Sequence, residues 1–328
     1  MRSPSPAAPA PAPHLVAVEG RYVRIVGVPC SLACAYCITG ARRRQAHALQ
    51  STGWRGRFRP RRRPWQMRVD PYVQTARSTR DILDALEALL GNTPAATPLE
   101  ITADDLLEFS GLLDLFALHQ RFGRPLRVIT PGLRLADEAF VAACARYPVA
   151  FTLTLPSASP AVTDGLLGRA GAHRAILRAL HLLRRHRLEH SLNCVVTRDN
   201  VGGLADLARL AVDDLHLKGL ALPLFYPEQV LVDLAPERWQ LHPPLPRLSA
   251  QLERILDHIA GRDFRLTLVD VPPCQVSARV ADSPQVHWTF VRHTDAPTPR
   301  RRLPACASCP RDPECGHLPA PPPVPRAG

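Results

Sequence analysis

Short apolar strands alternate with amphipathic helices along most of this chain, and the alternation constrains the fold more than any other feature. After a first strand at residues 22–28, the patterns predict, in chain order, helix 82–90, strand 99–103, helix 112–122, strand 126–130, helix 136–146, strand 149–155, helix 173–187, strand 191–197, helix 201–212, strand 215–224, helix 248–259 and strand 264–271. Ser78 and Asp81 form a capping box before the first helix. Six strictly alternating β/α repeats predict an α/β fold with a parallel sheet and helical crossovers.

Three cysteines, Cys30, Cys34 and Cys37, follow the first strand with the spacing CxxxCxxC. Three thiolates on one short loop can ligate three irons of a 4Fe-4S cluster, whose usual complement is four cysteines, and so leave one iron open for chemistry. A zinc site or unconnected buried thiols are the alternatives. Zinc loops usually pair CxxC with a second CxxC or with HxxxH, so the spacing favours an iron-sulfur cluster.

The segment Cys30-Ser-Leu-Ala-Cys34-Ala-Tyr-Cys37 resembles the CxxxCx-aromatic-C signature of the radical S-adenosylmethionine (radical SAM) enzymes. The resemblance implies a partial (β/α)6 barrel of the TIM type, in which the three cysteines are catalytic and Tyr36 lies against the adenine of SAM. It also implies that an electron from the cluster cleaves SAM to a 5'-deoxyadenosyl radical, which abstracts hydrogen from a substrate. Ligands in such folds gather at the carboxyl ends of the strands, and Cys30 follows the first strand.

Four further residues match positions at which this family contacts SAM. Asp105 stands where the family's GGEP motif has its glutamate, with Ala103-Asp104 in place of the two glycines, and a carboxylate there suits the SAM ammonium group. Capping of the following helix is the other role open to Asp104. Thr154 matches a ribose-contacting serine at the end of the fourth strand. Asn193 and the turn Thr197-Arg198-Asp199-Asn200 resemble the family's segment that flanks the adenosine, and Asn193 is the candidate contact there.

A second group of cysteines lies near the C-terminus, where Cys306, Cys309 and Cys315 have the spacing CxxCxxxxxC and Cys274 precedes them. The group resembles the auxiliary-cluster (SPASM or twitch) domain of radical SAM enzymes, in the shorter form with one additional 4Fe-4S cluster. Four ligands would saturate that cluster and make it an electron relay or a structural staple, whereas three would leave an iron for substrate. We favour four, with a four-cysteine zinc site as the alternative.

Together with the resemblance, the patterns predict a Pro/Ala-rich tail at 1–16, a radical SAM barrel at 17–230, an auxiliary-cluster domain at 231–318 and a second tail at 319–328. Both tails are expected to be disordered or extended. Outside the two cysteine groups, Cys144 and Cys194 are interpreted as buried apolar residues. His317 is interpreted as a surface residue.

The net charge of +12 raises nucleic acid as a partner, since clustered Arg and Lys bind phosphates. The densest basic stretch, residues 42–68, contains Trp54 and Trp65, and such a mixture could grip phosphate and stack a base. Because Lys218 is the only lysine, the arginine excess indicates a coding bias. We therefore interpret the stretch as a solvated loop and do not favour a nucleic-acid partner. The basic surface suits an acidic low-potential electron donor such as flavodoxin or ferredoxin.

Nine cysteines are too few for a disulfide scaffold in 328 residues, and a reducing compartment would suit an oxygen-sensitive cluster. No apolar run is long enough to cross a bilayer, and the start of the chain lacks the apolar core of a signal peptide. We expect a cytoplasmic protein without membrane contact.

The resemblance favours a maturase that modifies a peptide or protein precursor. Only some twenty residues precede the first strand, too few for the recognition domain that many such enzymes have, so a separate partner would supply it. A small-molecule enzyme that resembles the molybdopterin-precursor synthases is one alternative. A non-enzymatic iron-sulfur or zinc protein that binds nucleic acid through residues 42–68 is another.

Overall fold

The computed structural model describes residues 14–18, 22–26, 28, 30–37, 78–93, 100–103, 105–225, 236–290, 300–301, 304–309, 315 and 318–319. Its strands are β1 (His14–Val18), β2 (Tyr22–Val26), β3 (Glu100–Thr102), β4 (Leu126–Thr130), β5 (Val149–Thr154), β6 (His190–Asn193), β7 (Gly219–Pro223), β8 (Arg265–Val269), β9 (Val286–Thr289), β10 (Arg300–Arg301) and β11 (Leu318–Pro319). Its helices are α1 (Thr79–Asn92), α2 (Leu112–Arg121), α3 (Glu138–Cys144), α4 (Pro160–Leu167), α5 (Ala172–Arg185), α6 (Leu204–Arg209), α7 (Leu245–Ile259) and α8 (Ala278–Ala281). The Arg-rich stretch 42–68, Asp104 and His317 lie outside these residues.

The largest sheet contains six parallel strands in the order β4-β5-β6-β7-β8-β9. A second sheet has the order β1-β2-β3, with β1 antiparallel and β3 parallel to β2. Strands β10 and β11 form an antiparallel pair. The predicted α/β class and its parallel β/α alternation are confirmed. Strands β8 and β9, from the segment interpreted as the C-terminal domain, continue the same six-stranded sheet.

Contacts within the chain divide it into two compact units. The first takes its described residues from Met1–Ser31, Arg68–Phe151 and Leu182–Glu189, and the second from Leu32–Met67, Thr152–His181 and His190–Gly328. No helix in the described ranges combines the length and the apolar character that crossing a bilayer requires.

In the first unit, the ends of α1 show why this helix outlasts its predicted bounds of 82–90. The hydroxyl oxygen of Ser78 accepts a hydrogen bond from the backbone N–H of Asp81 at 3.1 Å, so the predicted cap is confirmed. At the other end, the Thr93 hydroxyl donates to the carbonyl oxygen of Leu89 at 2.7 Å, and the Arg124 guanidinium donates to that of Leu90 at 3.2 Å. Because these donors satisfy carbonyls that a helix end leaves without partners, the helix continues to Asn92.

In the second unit, the sheet has one apolar and one polar face. Strands β7 and β8 place Leu222 beside Leu268 and Ala221 beside Thr267, and the alternation of side chains repeats these two sets on opposite faces. Seven leucines of the apolar face are fully buried: Leu153, Leu155, Leu192, Leu220, Leu222, Leu266 and Leu268. The opposite face presents small polar side chains, among them Thr154 and Asn193 at the carboxyl ends of β5 and β6.

Several predicted bounds differ from the structure for identifiable reasons. Helix α6 continues beyond Arg209 as a π-helical turn over Leu210–Asp214, closed by the N–H of Leu215, which donates to the carbonyl oxygen of Leu210 at 3.0 Å. Strand β7 therefore begins at Gly219 and not at residue 215. Helix α3 begins at Glu138 because the Asp137 carboxylate caps it, accepting from the N–H of Ala139. Strands β1 and β9 and helices α4 and α8 were not predicted, since each is too short to show a clear period.

Candidate functional site

Two of the three cysteines in the CxxxCxxC segment lie on one tight turn. The backbone N–H of Cys37 donates a 3.1 Å hydrogen bond to the carbonyl oxygen of Cys34. Both residues are half-buried, as is Cys30, which belongs to the first unit. None of the three forms a disulfide. The segment therefore offers three thiols that are neither sealed in the core nor fully exposed.

Tyr36, between these two cysteines in the second unit, is half-buried, and its hydroxyl oxygen is shielded from solvent. Burial raises the pKa of its hydroxyl well above the usual value, and the nearby thiols of Cys34, Cys194 and Cys37 raise it further. Among the described residues the Tyr36 hydroxyl oxygen has no hydrogen-bond partner. A buried polar group without a partner costs about 1–3 kcal/mol, which a polar group of a bound ligand would recover.

Thr154 and Asn193 are the last residues of the neighbouring strands β5 and β6. The hydroxyls of Thr152 and Ser191 are 2.9 Å apart, so these two side chains share a face of the sheet. Because alternate residues of a strand project to one side, Thr154 and Asn193 belong to that same polar face. The side-chain oxygen of Asn193 is buried and has no hydrogen-bond partner in the described part of the chain. The structure thus brings these two predicted contacts together.

Asn200 joins the segments that follow these two strands. Its side-chain N–H donates to the carbonyl oxygens of Pro156 and Val195, each at 2.9 Å, and its side-chain oxygen accepts from the N–H of Thr197 at 2.8 Å. The same amide nitrogen is 3.5 Å from the sulfur of Cys194. Asn200 is 2% exposed, so these hydrogen bonds are shielded from water.

Asp105, in the first unit, has partners of its own. Its Oδ1 accepts from the backbone N–H of Leu107 at 3.2 Å and from the hydroxyl of Thr130 at 2.9 Å. The side chain therefore caps the 3₁₀ turn Leu106–Glu108, a role that the sequence suggested for its neighbour Asp104. Burial raises the pKa of the Asp105 carboxyl, and the two hydrogen bonds work against that rise.

The C-terminal cysteines share one backbone hydrogen-bond pattern with the cysteines of residues 30–37. The N–H of Cys309 donates to the carbonyl oxygen of Cys306 at 3.1 Å, the same turn that links Cys34 and Cys37. Cys315 is half-buried and Cys274 is exposed. Both CxxC pairs thus have the backbone turn that short thiolate motifs use for metal ligands.

Across the described ranges, no three Cys, His, Asp or Glu side chains are close enough together to bind one metal ion. The donor chemistry at residues 30–37 nevertheless fits an iron-sulfur cluster with SAM. Three half-buried thiols stand on one short segment, and the Tyr36 hydroxyl and Asn193 oxygen are buried polar atoms for which the described residues provide no partner.

Cys144 and Cys194 are confirmed as buried residues, since neither is accessible to solvent. Burial raises the pKa of the Cys144 thiol to about 11 and raises that of Cys194 further. The Cys194 thiol donates to the carbonyl oxygen of Pro156 at 3.2 Å. Both thiols are therefore protonated and unreactive at neutral pH.

Thr197, in the turn that the sequence associates with the adenosine, has a buried hydroxyl oxygen to which no described residue bonds. One residue near the site was not predicted. Gly168 lies directly against Ala33 of the cysteine segment. The sequence held a signal for Gly168, because a glycine after an apolar pair is typical of a helix end, but it could not reveal the contact with residue 33.

No protein-family model matches the sequence, and no curated protein matches it. Among solved structures, the chain is similar to Streptococcus suis SuiB bound to S-adenosylmethionine, with 12% identity, a TM-score of 0.49, and 74% of this chain and 48% of SuiB covered. SuiB bound to precursor peptide SuiA gives 11% identity and a TM-score of 0.49, and the match covers 73% of this chain and 46% of SuiB. Polyhistidine-tagged anSMEcpe with bound AdoMet is similar to the chain with 13% identity and a TM-score of 0.49, and the match covers 88% of this chain and 82% of anSMEcpe. The chain spans about half the length of SuiB.

Proposed function

We propose that this protein is a radical SAM enzyme, in which Cys30, Cys34 and Cys37 ligate a 4Fe-4S cluster and leave one iron for SAM. When bound, the cluster supplies the electron that cleaves SAM to methionine and a 5'-deoxyadenosyl radical, which takes a hydrogen atom from the substrate. The observation that most supports the proposal is the buried hydroxyl oxygen of Tyr36, which lies in the chain between two half-buried cysteines and has no hydrogen-bond partner among the described residues.

The side chains around that position have polar atoms suited to an adenosine. The Tyr36 ring would lie against the adenine, with its hydroxyl within reach of a polar atom of the ligand. Thr154 would hydrogen-bond a ribose hydroxyl, and the oxygen of Asn193 would accept a hydrogen bond from the adenosine. For the Tyr36 hydroxyl and the Asn193 oxygen, the described part of the chain offers no partner of its own. A bound adenosine would thus satisfy polar atoms that are otherwise buried at a cost.

Asp105 would receive the SAM ammonium group. Both of its described hydrogen bonds go to Oδ1, so the ammonium would be received at Oδ2. A charge-assisted hydrogen bond of this kind is stronger than a neutral one and would offset the cost of burying the carboxylate. Asp104 is proposed as a second polar group at the same position.

Cys274, Cys306, Cys309 and Cys315 would ligate a second 4Fe-4S cluster, which would pass electrons during turnover. The same N–H to carbonyl hydrogen bond, from Cys37 to Cys34 and from Cys309 to Cys306, supports a shared ligand chemistry for the two groups. A low-potential donor such as flavodoxin or ferredoxin would reduce the first cluster. The substrate would be a peptide or protein precursor, since the C-terminal cysteine group resembles the auxiliary domains of enzymes that modify such precursors.

Iron counting after anaerobic reconstitution tests the ligand assignment. The wild type should bind about eight irons per chain, and Cys34→Ala and Cys306→Ala should each lose about four. Cys144→Ala, a buried cysteine outside both groups, should keep all of them. About four irons with one zinc would assign zinc to the C-terminal site. Equal iron in the wild type and Cys34→Ala would overturn the proposal.

Co-expression with a short peptide encoded beside the gene tests the substrate class. The wild type should change the mass of the peptide, and Cys34→Ala should leave it unmodified. If the peptide stays unchanged while a small molecule stimulates release of 5'-deoxyadenosine, the peptide assignment is wrong and the radical chemistry stands.

A further inference from the structure

The last turn of α4 binds the backbone of the cysteine loop, defined as residues 32–37. The N–H of Ala33 donates to the carbonyl oxygen of Leu167 at 3.1 Å, and the N–H of Ala35 donates to that of Leu166 at 2.8 Å. Both carbonyls belong to the final turn of the helix, where no intrahelical donor is left to satisfy them. The two loop amides therefore complete the hydrogen bonding of the helix end, and they flank Cys34 on both sides.

Gly168 makes this approach possible. It adopts a left-handed conformation with φ of +64°, which ends the helix, and the N–H of Arg169 then donates to the carbonyl oxygen of Asp164 at 3.0 Å. A Cβ atom at position 168 would lie 3.0 Å from the Cβ and 3.0 Å from the carbonyl oxygen of Ala33. Any side chain here would therefore adopt an unfavourable conformation and also displace the cysteine loop.

The turn that contains Gly168 is itself fixed from the next helix. The Asp164 carboxylate accepts from the backbone N–H of Gly171 at 2.6 Å and from that of His173 at 2.8 Å, at the start of α5. These bonds tie the end of α4 to the beginning of α5 independently of the loop. The loop thus docks onto an element that is already held in place.

We infer that the end of α4 positions the cysteine loop for its cluster, with Gly168 as the positioning residue. This inference rests on the function proposed above. It has two consequences: Cys34 and Cys37 are held on a defined backbone before metal arrives, and the amides of Ala33 and Ala35 are engaged by helix carbonyls. Amides engaged in this way cannot donate to cluster sulfurs. Because such donors stabilise the more negative, reduced cluster and so raise its potential, withholding them keeps the potential low.

Gly168→Ala tests the inference against Gly261→Ala. Gly261 has φ of +71°, and among the described atoms nothing lies within 4 Å of its Cβ position, so this control introduces backbone strain alone. In the metal-free protein, hydrogen exchange of the peptide that spans 32–37 should be roughly tenfold faster in Gly168→Ala and unchanged in Gly261→Ala. In the reconstituted protein, Gly168→Ala should shift the cluster potential to a more positive value and lose iron faster. Equal exchange and equal potential in the two variants would overturn the inference.

A second pair keeps the test decisive if Gly168→Ala does not fold. Asp164→Ala loosens the α4–α5 turn without added bulk, and Asp137→Ala removes the corresponding cap from α3 in the first unit. Only Asp164→Ala should accelerate exchange at 32–37, and equal exchange would contradict the inference. The double variant Ala33→Gly/Gly168→Ala removes the Cβ contact but not the contact with the carbonyl, so it should recover part of the lost protection. No recovery would contradict the proposed contact.

The two proposals fail in different ways. A wild-type protein that binds no iron at 30–37 would overturn the proposed function, whereas the hydrogen-exchange comparison needs no metal. Iron binding in the wild type with identical behaviour of Gly168→Ala and Gly261→Ala would overturn the positioning role alone.

Discussion

The side-chain amide of Asn200 donates a hydrogen bond to the carbonyl oxygen of Pro156 at a distance of 2.9 Å. Pro156 follows β5 and Asn200 follows β6, so this single side chain connects the segments after the two strands that end in Thr154 and Asn193. The relative placement of two proposed SAM contacts therefore depends on a residue that need not touch SAM itself.

Replacing Asn200 with Ala should lower the free energy of unfolding by about 2–3 kcal/mol. The change leaves the carbonyl oxygens of Pro156 and Val195 and the N–H of Thr197 without their present partner in a buried position. Urea unfolding measures the loss. Asn92→Ala, at the exposed end of α1, is the matched control and should change stability by less than about 0.5 kcal/mol. Equal losses would contradict the role of Asn200.

Asp105→Asn should weaken SAM binding without weakening the fold. The amide keeps an acceptor oxygen for Leu107 and Thr130, and it removes a charge that is buried in the folded protein. Thr130→Val is the comparison: it removes the hydroxyl that donates to Asp105 and accepts from the N–H of Gly132, and should cost about 1–3 kcal/mol. Calorimetric SAM titration and urea unfolding separate the two effects. Unchanged SAM affinity in Asp105→Asn would leave Asp105 with a structural role only.

Stability should also depend on pH through Asp105. Burial raises the folded-state pKa of this carboxyl above its ordinary value of 3.8, so the folded protein binds the proton more tightly than the unfolded chain does. The stabilising contribution is therefore present below pH 3.8 and is lost as pH rises through the raised pKa. Because the other titrating groups are common to both proteins, the stability of the wild type relative to Asp105→Asn should fall as pH rises across this window. Parallel plots of unfolding free energy against pH for the two proteins would contradict the raised pKa of Asp105.

The Asp164 carboxylate should affect the pH dependence of stability in the opposite direction from Asp105. Hydrogen bonds from the N–H groups of His173 and Gly171 lower the pKa of its carboxyl below 3.8. The stabilisation is then present above pH 3.8 and is lost as pH falls through the lowered pKa. Asp164→Asn, which keeps an acceptor but has no charge, should flatten this acid limb in unfolding experiments at pH 2 to 5. An unaltered acid limb would show that the cap contributes no pH-dependent stability.

Native-state alkylation should separate the nine cysteines into two classes. At pH 8 the pKa of about 11 leaves Cys144 with a thiolate fraction roughly a hundredfold below that of an ordinary thiol, and burial blocks access as well. In the metal-free protein, Cys144 and Cys194 should therefore stay unlabelled by iodoacetamide, while the exposed Cys274 is labelled first. Mass spectrometry of the digest identifies the sites. Early labelling of Cys144 would contradict its buried position.

The sequence could predict the features that depend on local pattern. The cap at Ser78, the buried positions of Cys144 and Cys194 and the parallel alternation follow from spacing and composition, which act over a few residues. The cysteine segment could also be identified from the sequence, because its CxxxCxxC spacing extends over only eight residues.

Features that depend on distant contacts could not be predicted. Nothing in the residues around Gly168 indicates that it meets Ala33, far earlier in the chain, and Asp105 was interpreted without its bond to Thr130. The start of β7 was misplaced because a π-helical turn extends α6, and such turns have no reliable sequence pattern.

Release of 5'-deoxyadenosine measures the central claim most directly. Anaerobically reconstituted protein, reduced with dithionite in the presence of SAM, should release 5'-deoxyadenosine and methionine, and Cys144→Ala should do the same. Cys34→Ala should release neither product above the level without protein. Equal release by Cys34→Ala and the wild type, or no release by a wild type that has its full iron content, would contradict the account.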